Sequence, residues 1–306
     1  MTIVLPRARV HVRQLVPGTT RYRAVDALLL GALAVISLVA VVFSRRVDGW
    51  GLLVLKNLGA AAVYLVLIIT GDRHRGTHKG FAFRLAAVML AFLYINVAVD
   101  KLQLVLYGRW LDDTVLTLEH AVFGVQPTLW LQQFISRPLT EWMMFAYVIY
   151  LPMFLGLCGI VYHRSGEAAA EYCFFVLGLS NVACDLSFML FPVAGPMAHI
   201  CSQYAVPLDG YVWTWMGELI RTRAQFVGGN IPSPHCANAM VMLLLAWRYH
   251  RPSFRILLPI VLSVLLATVY CRFHYVTDAV LGVLVALVAF RAAPALMKVW
   301  NRLVRT

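Results

Sequence analysis

Long apolar stretches alternate along this chain with short, mostly basic connectors. Ala27–Phe43 and Val280–Phe290 are almost unbroken aliphatic and aromatic runs, without the polar face a soluble amphipathic helix would show. A helical crossing of the bilayer core takes roughly 20 apolar residues. The pattern predicts eight helical spans, near 24–44, 51–70, 82–100, 141–163, 168–191, 235–249, 255–272 and 275–292. Lys56, inside the second, sits close enough to a membrane edge to reach outward along its own stem.

Two connectors carry helical patterns of their own. In 111–122, Leu111, Val115, Leu118 and Val122 recur at helical spacing, with Asp112, Glu119 and His120 on other faces. In 207–226, Trp213 and Trp215 interleave with Glu218, Arg221 and Arg223. Both are expected to lie as helices at the membrane surface. The fold class is therefore all-α: a polytopic transmembrane helical bundle with interfacial helices.

Composition agrees. The 306 residues are 61% hydrophobic and only 13% charged, with a mean hydropathy of +0.77, against about half apolar and a quarter charged in a soluble domain. The net charge of +12 does not point to nucleic acid, because the basic residues fall mostly between apolar runs, where they fix topology. Arg7, Arg9, Arg13, Arg21 and Arg23 precede the first run, and no small-residue cleavage site follows it, so no cleavable signal peptide is expected. The larger share of Lys and Arg falls in the termini and in the connectors on the same side, which puts both termini in the cytoplasm; Arg45 and Arg46 are a counter-signal. The six cysteines form no Cys-x-x-Cys pair and read as small apolar residues, so no metal site and no cofactor is expected.

Candidate chemistry is confined to two stretches. Ile231-Pro232-Ser233-Pro234-His235 opens the sixth span, and Cys271-Arg272-Phe273-His274-Tyr275-Val276-Thr277-Asp278 joins the seventh to the eighth. Because the sixth span runs inward and the seventh returns, both stretches meet at one face, which the charge pattern makes extracytoplasmic. A helix from His235 to Arg248 is roughly 20 Å long at about 1.5 Å per residue, which places His235 near the depth of a lipid headgroup. His274 and Asp278 are four apart; on a helix they share a face, and the carboxylate would orient the imidazole and favour its charged form. Arg272 offers a fork of donors for phosphoryl oxygens, and His235 heads a helix whose N–H groups favour an anion. Two imidazoles, a carboxylate and an arginine suffice for phosphoryl transfer through a phosphohistidine. Asp185, with Asn181 and Ser180, is the feature a competing lipid-binding or transport reading would use.

These residues resemble the type 2 phosphatidic acid phosphatase superfamily, whose second motif reads Pro-Ser-Gly-His and whose third ends in His-x-x-x-Asp. The chain looks closest to the inositol phosphorylceramide synthase branch, where Pro-Ser-x-His is followed by a His-Tyr-x-x-Asp block. Glu141–Pro152 and the Phe191-Pro192-Val193-Ala194-Gly195-Pro196 element also match, and the resemblance covers roughly 105–292. It departs from the pattern in three places. Pro234 replaces the glycine, Ala267 and Thr268 stand where a Ser-Arg pair is expected, and no Lys-x6-Arg-Pro motif is present. The resemblance implies metal-independent chemistry on a membrane lipid phosphoester. His274 would attack phosphorus, Asp278 would hold it, and His235 would protonate the leaving oxygen. Arg272, Ser233, Arg221 and Arg223 would bind phosphate. It further implies a basic arm over 1–23, N-terminal membrane helices over 24–104, and a catalytic membrane domain over 105–306, with hydrolysis, headgroup transfer and oligomeric state left open.

Overall fold

Every apolar run of the sequence forms a helix in the computed structural model, which describes residues 23–223 and 227–304. The basic arm before Arg23 lies outside the described residues, as does Arg305. Helix α1 spans Ala24–Val42, α2 Trp50–Arg73, α3 His78–Asp100 and α4 Asp112–Phe123. The single turn α5 (Pro127–Trp130) leads to α6 (Arg137–Val148), α7 (Tyr150–Ser165) and α8 (Glu167–Leu190). The short α9 (Pro196–His199) and α10 (Val212–Arg223) precede α11 (Pro234–Tyr249), α12 (Arg251–Tyr270) and α13 (Val276–Leu303). Among the described residues there is no strand.

Six helices are long and apolar enough to cross a membrane: α1, α2, α3, α8, α12 and α13. This makes the chain an integral membrane protein. Two of the eight predicted spans differ from simple crossings. Helices α6 and α7 qualify only as a pair, bent by 47° at Ile149. Pro152, in the first turn of α7, has no N–H to continue the ladder from α6 and crowds the carbonyl four residues back. Helix α11 has only 16 residues, roughly 24 Å of rise, so its N-terminus falls short of a full crossing. Large apolar side chains such as Leu38, Leu55, Val66, Leu262 and Val288 are exposed, as an outer lipid-facing surface requires.

Small residues set how closely the inner helices approach. Helix α13 turns Gly282, Ala286, Ala289 and Ala293 inward, and α11 buries Ala237, Ala239 and Ala246. Apolar burial drives little association between helices in lipid, so close backbone contact of this kind carries the packing. Gly282 shows how tight it is: a Cβ there would lie 2.5 Å from the Ser233 carbonyl oxygen. Helix α11 is thereby surrounded by α7, α8, α12 and α13.

At the other end, a buried ion cluster ties the N-terminal helices to α8. The Arg84 guanidinium donates to both Glu171 oxygens (2.8 and 2.7 Å) and to Asp26 (2.8 Å). Tyr64 donates to Asp26 at 2.6 Å, and Arg23 pairs with Glu167 and Glu171. Charges this deep persist only when each has a partner, so α1, α2, α3 and α8 are held in one register.

The surface segments are helical as predicted, but the buried face of α4 is its acidic one. Asp112 is fully buried and Glu119 nearly so, whereas Leu118 and Val122 are exposed. The reason is hydrogen bonding. Asp112 accepts from the Ala194 and Gly195 N–H groups and the Tyr275 hydroxyl. Glu119 accepts from the N–H and hydroxyl of Thr277. Two carboxylates thus pin the 193–196 turn and the start of α13 from outside the bundle. Burial raises the Glu119 carboxyl above its usual range, against the Thr277 bonds.

Candidate active site

Local sequence dictates how both histidines are presented. Ser233 caps α11, its hydroxyl oxygen accepting from Cys236 N–H at 3.4 Å, and Pro234 occupies the first turn, where its missing N–H costs nothing. His235 follows at once, so its ring points from the first turn. Helix α12 ends in a turn where the Thr268 carbonyl accepts from both Phe273 and His274 N–H groups. That turn puts Arg272 in the left-handed region at φ 65°, a conformation that costs a side-chain-bearing residue about 1 kcal/mol. The next helix starts at Val276, with Tyr275 as its cap and Asp278 Oδ2 accepting from the Tyr275 N–H at 2.9 Å.

This arrangement corrects one expectation. His274 lies before the helix, so the His274–Asp278 pair is not a helical four-apart pair. Nδ1 stands 3.4 Å from Asp278 Oδ2 without meeting hydrogen-bond geometry, and that oxygen also accepts from the Tyr275 N–H. Burial pushes His274 down to about 3, outweighing an opposing backbone hydrogen bond with Asn230.

The two motifs meet directly. Ser233 N–H donates to the Asp278 carbonyl at 2.9 Å, and the rings of His235 and His274 are 5.9 Å apart between centroids. Tyr147 stacks on His235 at 4.6 Å and on Phe273 at 3.9 Å, and the Arg221 guanidinium sits 4.3 Å over Phe273. Arg221, Phe273, Tyr147 and His235 therefore contact in series.

Arg221 and Arg272 line one cavity of about 210 Å³, together with Phe273, Gly195, Ala198 and Val227. Arg272 donates to the Val206 carbonyl and lies 4.0 Å over the Tyr204 ring; burial lowers its pKa. Arg221 donates to the Cys271 carbonyl at 2.5 Å. Neither imidazole lines this cavity. The Tyr147–Phe273 stack links the two regions.

Two predicted phosphate ligands do not line the arginine cavity. Arg223 ends α10 exposed and does not line the cavity, because it points away from the face that α10 turns to α6. Ser233 is fully buried and spends its oxygen as a helix cap. Asp185 reads as a polar contact between helices, its two oxygens accepting from Asn96 (3.1 Å) and Asn181 (2.6 Å).

Several residues that shape the site carried no such expectation. Glu141 accepts the N–H groups of Tyr211, Trp213 and Thr214 and the Thr214 hydroxyl. It thereby seats the start of the helix that bears Arg221. Asn230 donates to the Val193 carbonyl and packs against Gly195, where φ is +94° and a Cβ would lie 2.4 Å from its amide nitrogen. Gln103, at the end of α3, donates to Val227 O and accepts from Gly229 N–H, fixing the approach to the Pro-Ser-Pro-His turn.

Buried polar atoms without partners gather here: Nδ1 of His235, Nδ1 of His274, Oδ1 of Asp278, and Nε of both Arg221 and Arg272. Others, such as those of Tyr172 and Ser180, lie elsewhere in the bundle, but these five fall on the two histidine motifs and on α10. No curated protein and no solved structure matches the chain. The sequence does match a family description over residues 113–292, more than half of its length and containing both histidine motifs, and the chain belongs to the PAP2 superfamily.

Proposed function

We propose that the protein is an integral membrane enzyme that cleaves lipid phosphoesters through a phosphohistidine on His274, at the extracytoplasmic face. The observation that carries this reading is the pair of imidazoles 5.9 Å apart between centroids, each with an unpartnered Nδ1, next to a cavity lined by two arginines across the Tyr147–Phe273 stack. A phosphoryl group supplies the negative oxygens that desolvated guanidinium groups lack. His274 in its neutral form has the lone pair needed to attack phosphorus, and His235 enters protonated beside the phosphoryl dianion. As its N–P bond forms, the bond to the leaving oxygen breaks, and that oxygen takes a proton from protonated His235. His235, then neutral, accepts a proton from the hydroxyl that releases the phosphohistidine.

That hydroxyl belongs to water in a phosphatase and to a lipid alcohol in a transferase of the inositol phosphorylceramide synthase kind. Tyr147 stacks on His235 and Tyr150 packs tilted against it, which restricts water and favours transfer. Purified protein in vesicles with headgroup-labelled phosphatidylinositol tests the reading. Release of labelled headgroup product, abolished in His274→Ala and in His235→Ala, is expected. Full turnover in His274→Ala would refute His274 as the nucleophile, and no headgroup release by wild type would point to the lipid-binding or transport class.

A further inference from the structure

A cavity of about 330 Å³ lies between α1, α2 and α3, outside the residues that match the family. Ala60 and Ala91 leave the space open, and Leu33 and Leu67 give it apolar walls. Val63 and Leu90 also line it and are exposed on the outer surface of the bundle, so it opens to lipid between α2 and α3. An apolar void of about 150 Å³ is enough to take up benzene, so this one has room for hydrocarbon.

One cation faces this apolar space. Lys56 lines it from a position six residues into α2, roughly 9 Å along the axis at about 1.5 Å per residue. The two tyrosines that share the cavity are already committed. Tyr94 donates to Asn57 Oδ1 at 2.8 Å, and Tyr64 donates to Asp26 at 2.6 Å. Arg84, on α3, is saturated by Asp26 and Glu171. Lys56 by contrast has no ion-pair partner among the described residues, although an ammonium within a membrane calls for a counter-charge. Its end of the bundle is the one that carries the histidines: Tyr94, which pairs with Asn57, lies on the last turns of α3, and Gln103 just beyond bonds Val227 and Gly229 on the approach to His235. Arg45 and Arg46, which run against the charge pattern of the sequence, sit on the connector that enters α2 at this same end.

We propose that this cavity binds an anionic glycerophospholipid of the bilayer, with the lipid phosphate paired to Lys56 and one acyl chain lying in the groove past Val63 toward Leu67. The proposal does not rest on the reaction proposed above. From Lys56 to Leu67 the cavity follows α2 for eleven residues, roughly 16 Å. That is about half of the roughly 30 Å hydrocarbon core, the depth one leaflet's acyl chain occupies. A zwitterionic headgroup brings its own ammonium and offers Lys56 no net counter-charge. The site therefore selects a headgroup of net negative charge.

The test is native mass spectrometry of the full chain, purified in detergent and titrated with phosphatidylglycerol or with phosphatidylcholine of the same acyl chains. The first phosphatidylglycerol is expected to bind about tenfold more tightly than the first phosphatidylcholine, the fold-change that one charge-assisted hydrogen bond supplies. Lys56→Met removes that preference and Lys56→Arg retains it. Lys79→Met, an equal loss of charge at the other end of α3, leaves it intact. Ala60→Phe, whose ring fills the groove, weakens binding of both lipids about tenfold. Val63→Trp, at the exposed mouth, gives the same result should Ala60→Phe not fold. A wild type without the preference would overturn the proposal. So would a preference that survives Lys56→Met or falls equally in Lys79→Met, since the attraction would then be that of the chain's overall positive charge. Loss of the preference in Lys56→Met with binding unchanged in the groove-filling variants would also overturn it, because an anion would then be held without its chain.

Discussion

Replacing Gly282 with alanine tests the geometry of the site from a position that touches no substrate. The new Cβ would meet the Ser233 carbonyl oxygen at 2.5 Å, Cys236 Cβ at 3.1 Å and Ala237 N at 3.2 Å. Backbone atoms at the capped start of α11 cannot swing aside as a flexible side chain can, so α11 and α13 must separate. Reaching ordinary contact takes roughly 1 Å, and overpacking of this kind costs about 1–3 kcal/mol. The displaced segment carries His235, while His274 stays with the start of α13. A misplacement of about 1 Å at a reacting centre can lower turnover about 10²-fold. The assay is headgroup release in vesicles, with thermal unfolding in detergent to confirm that the variant is folded. Gly156→Ala and Gly159→Ala, where a Cβ meets nothing within 4 Å, serve as controls and should retain activity. Wild-type turnover in a folded Gly282→Ala protein would refute the argument that this contact sets the distance between the histidines.

Three further outcomes are expected. Arg84→Met leaves Asp26 with hydrogen bonds from Tyr64 and the Arg23 N–H but no cation, and Glu171 with Arg23 alone, which should cost about 3–5 kcal/mol in unfolding measurements; a change below about 1 kcal/mol would mean that the cluster is solvated. His274, pushed down from 6.5 to about 3, is neutral in the folded protein across a range where the unfolded chain binds a proton. Its contribution to stability therefore rises with pH between about 3 and 6.5 by up to about 1.4 kcal/mol per unit, and the difference between wild type and His274→Phe should approach that slope in denaturation near pH 5 and flatten above pH 6.5. Glu141→Ala removes four hydrogen bonds at the start of α10 and should raise the KM for the phospholipid about tenfold through Arg221, with unchanged KM arguing that Arg221 does not meet the headgroup.

Much of the fold was legible because bilayer length and helical period write themselves into apolar runs. The bend in α6–α7 and the shortness of α11 were less so, since one proline and a few residues of length do not interrupt an apolar run enough to show. The meeting of His235 and His274 followed from chain reversal between α11 and α12. What failed was the fine geometry. Spacing places Asp278 opposite His274 only if the helix has already begun, and the Tyr275 cap delays it by two residues. Arg223 and Ser233 fit the chemistry of a phosphate site by residue type, but orientation and helix capping claim them. The carboxylates of Asp112, Glu119 and Glu141 were visible only as polar positions, because their partners are backbone N–H groups far away in sequence. Asn96 and Asp185 gain meaning from α3, α8 and α11 coming together, which no local pattern reports.

The central claim is that phosphorus becomes bonded to His274. Rapid quenching of the enzyme at alkaline pH during turnover of a phosphorus-labelled donor, followed by peptide mass spectrometry, measures this directly. A phosphoryl-bearing adduct on the peptide containing His274, present in wild type during turnover, diminished in His235→Ala and absent from His274→Ala, is the predicted result. Label on His235 instead, or turnover that continues with no labelled histidine at any time, would contradict it.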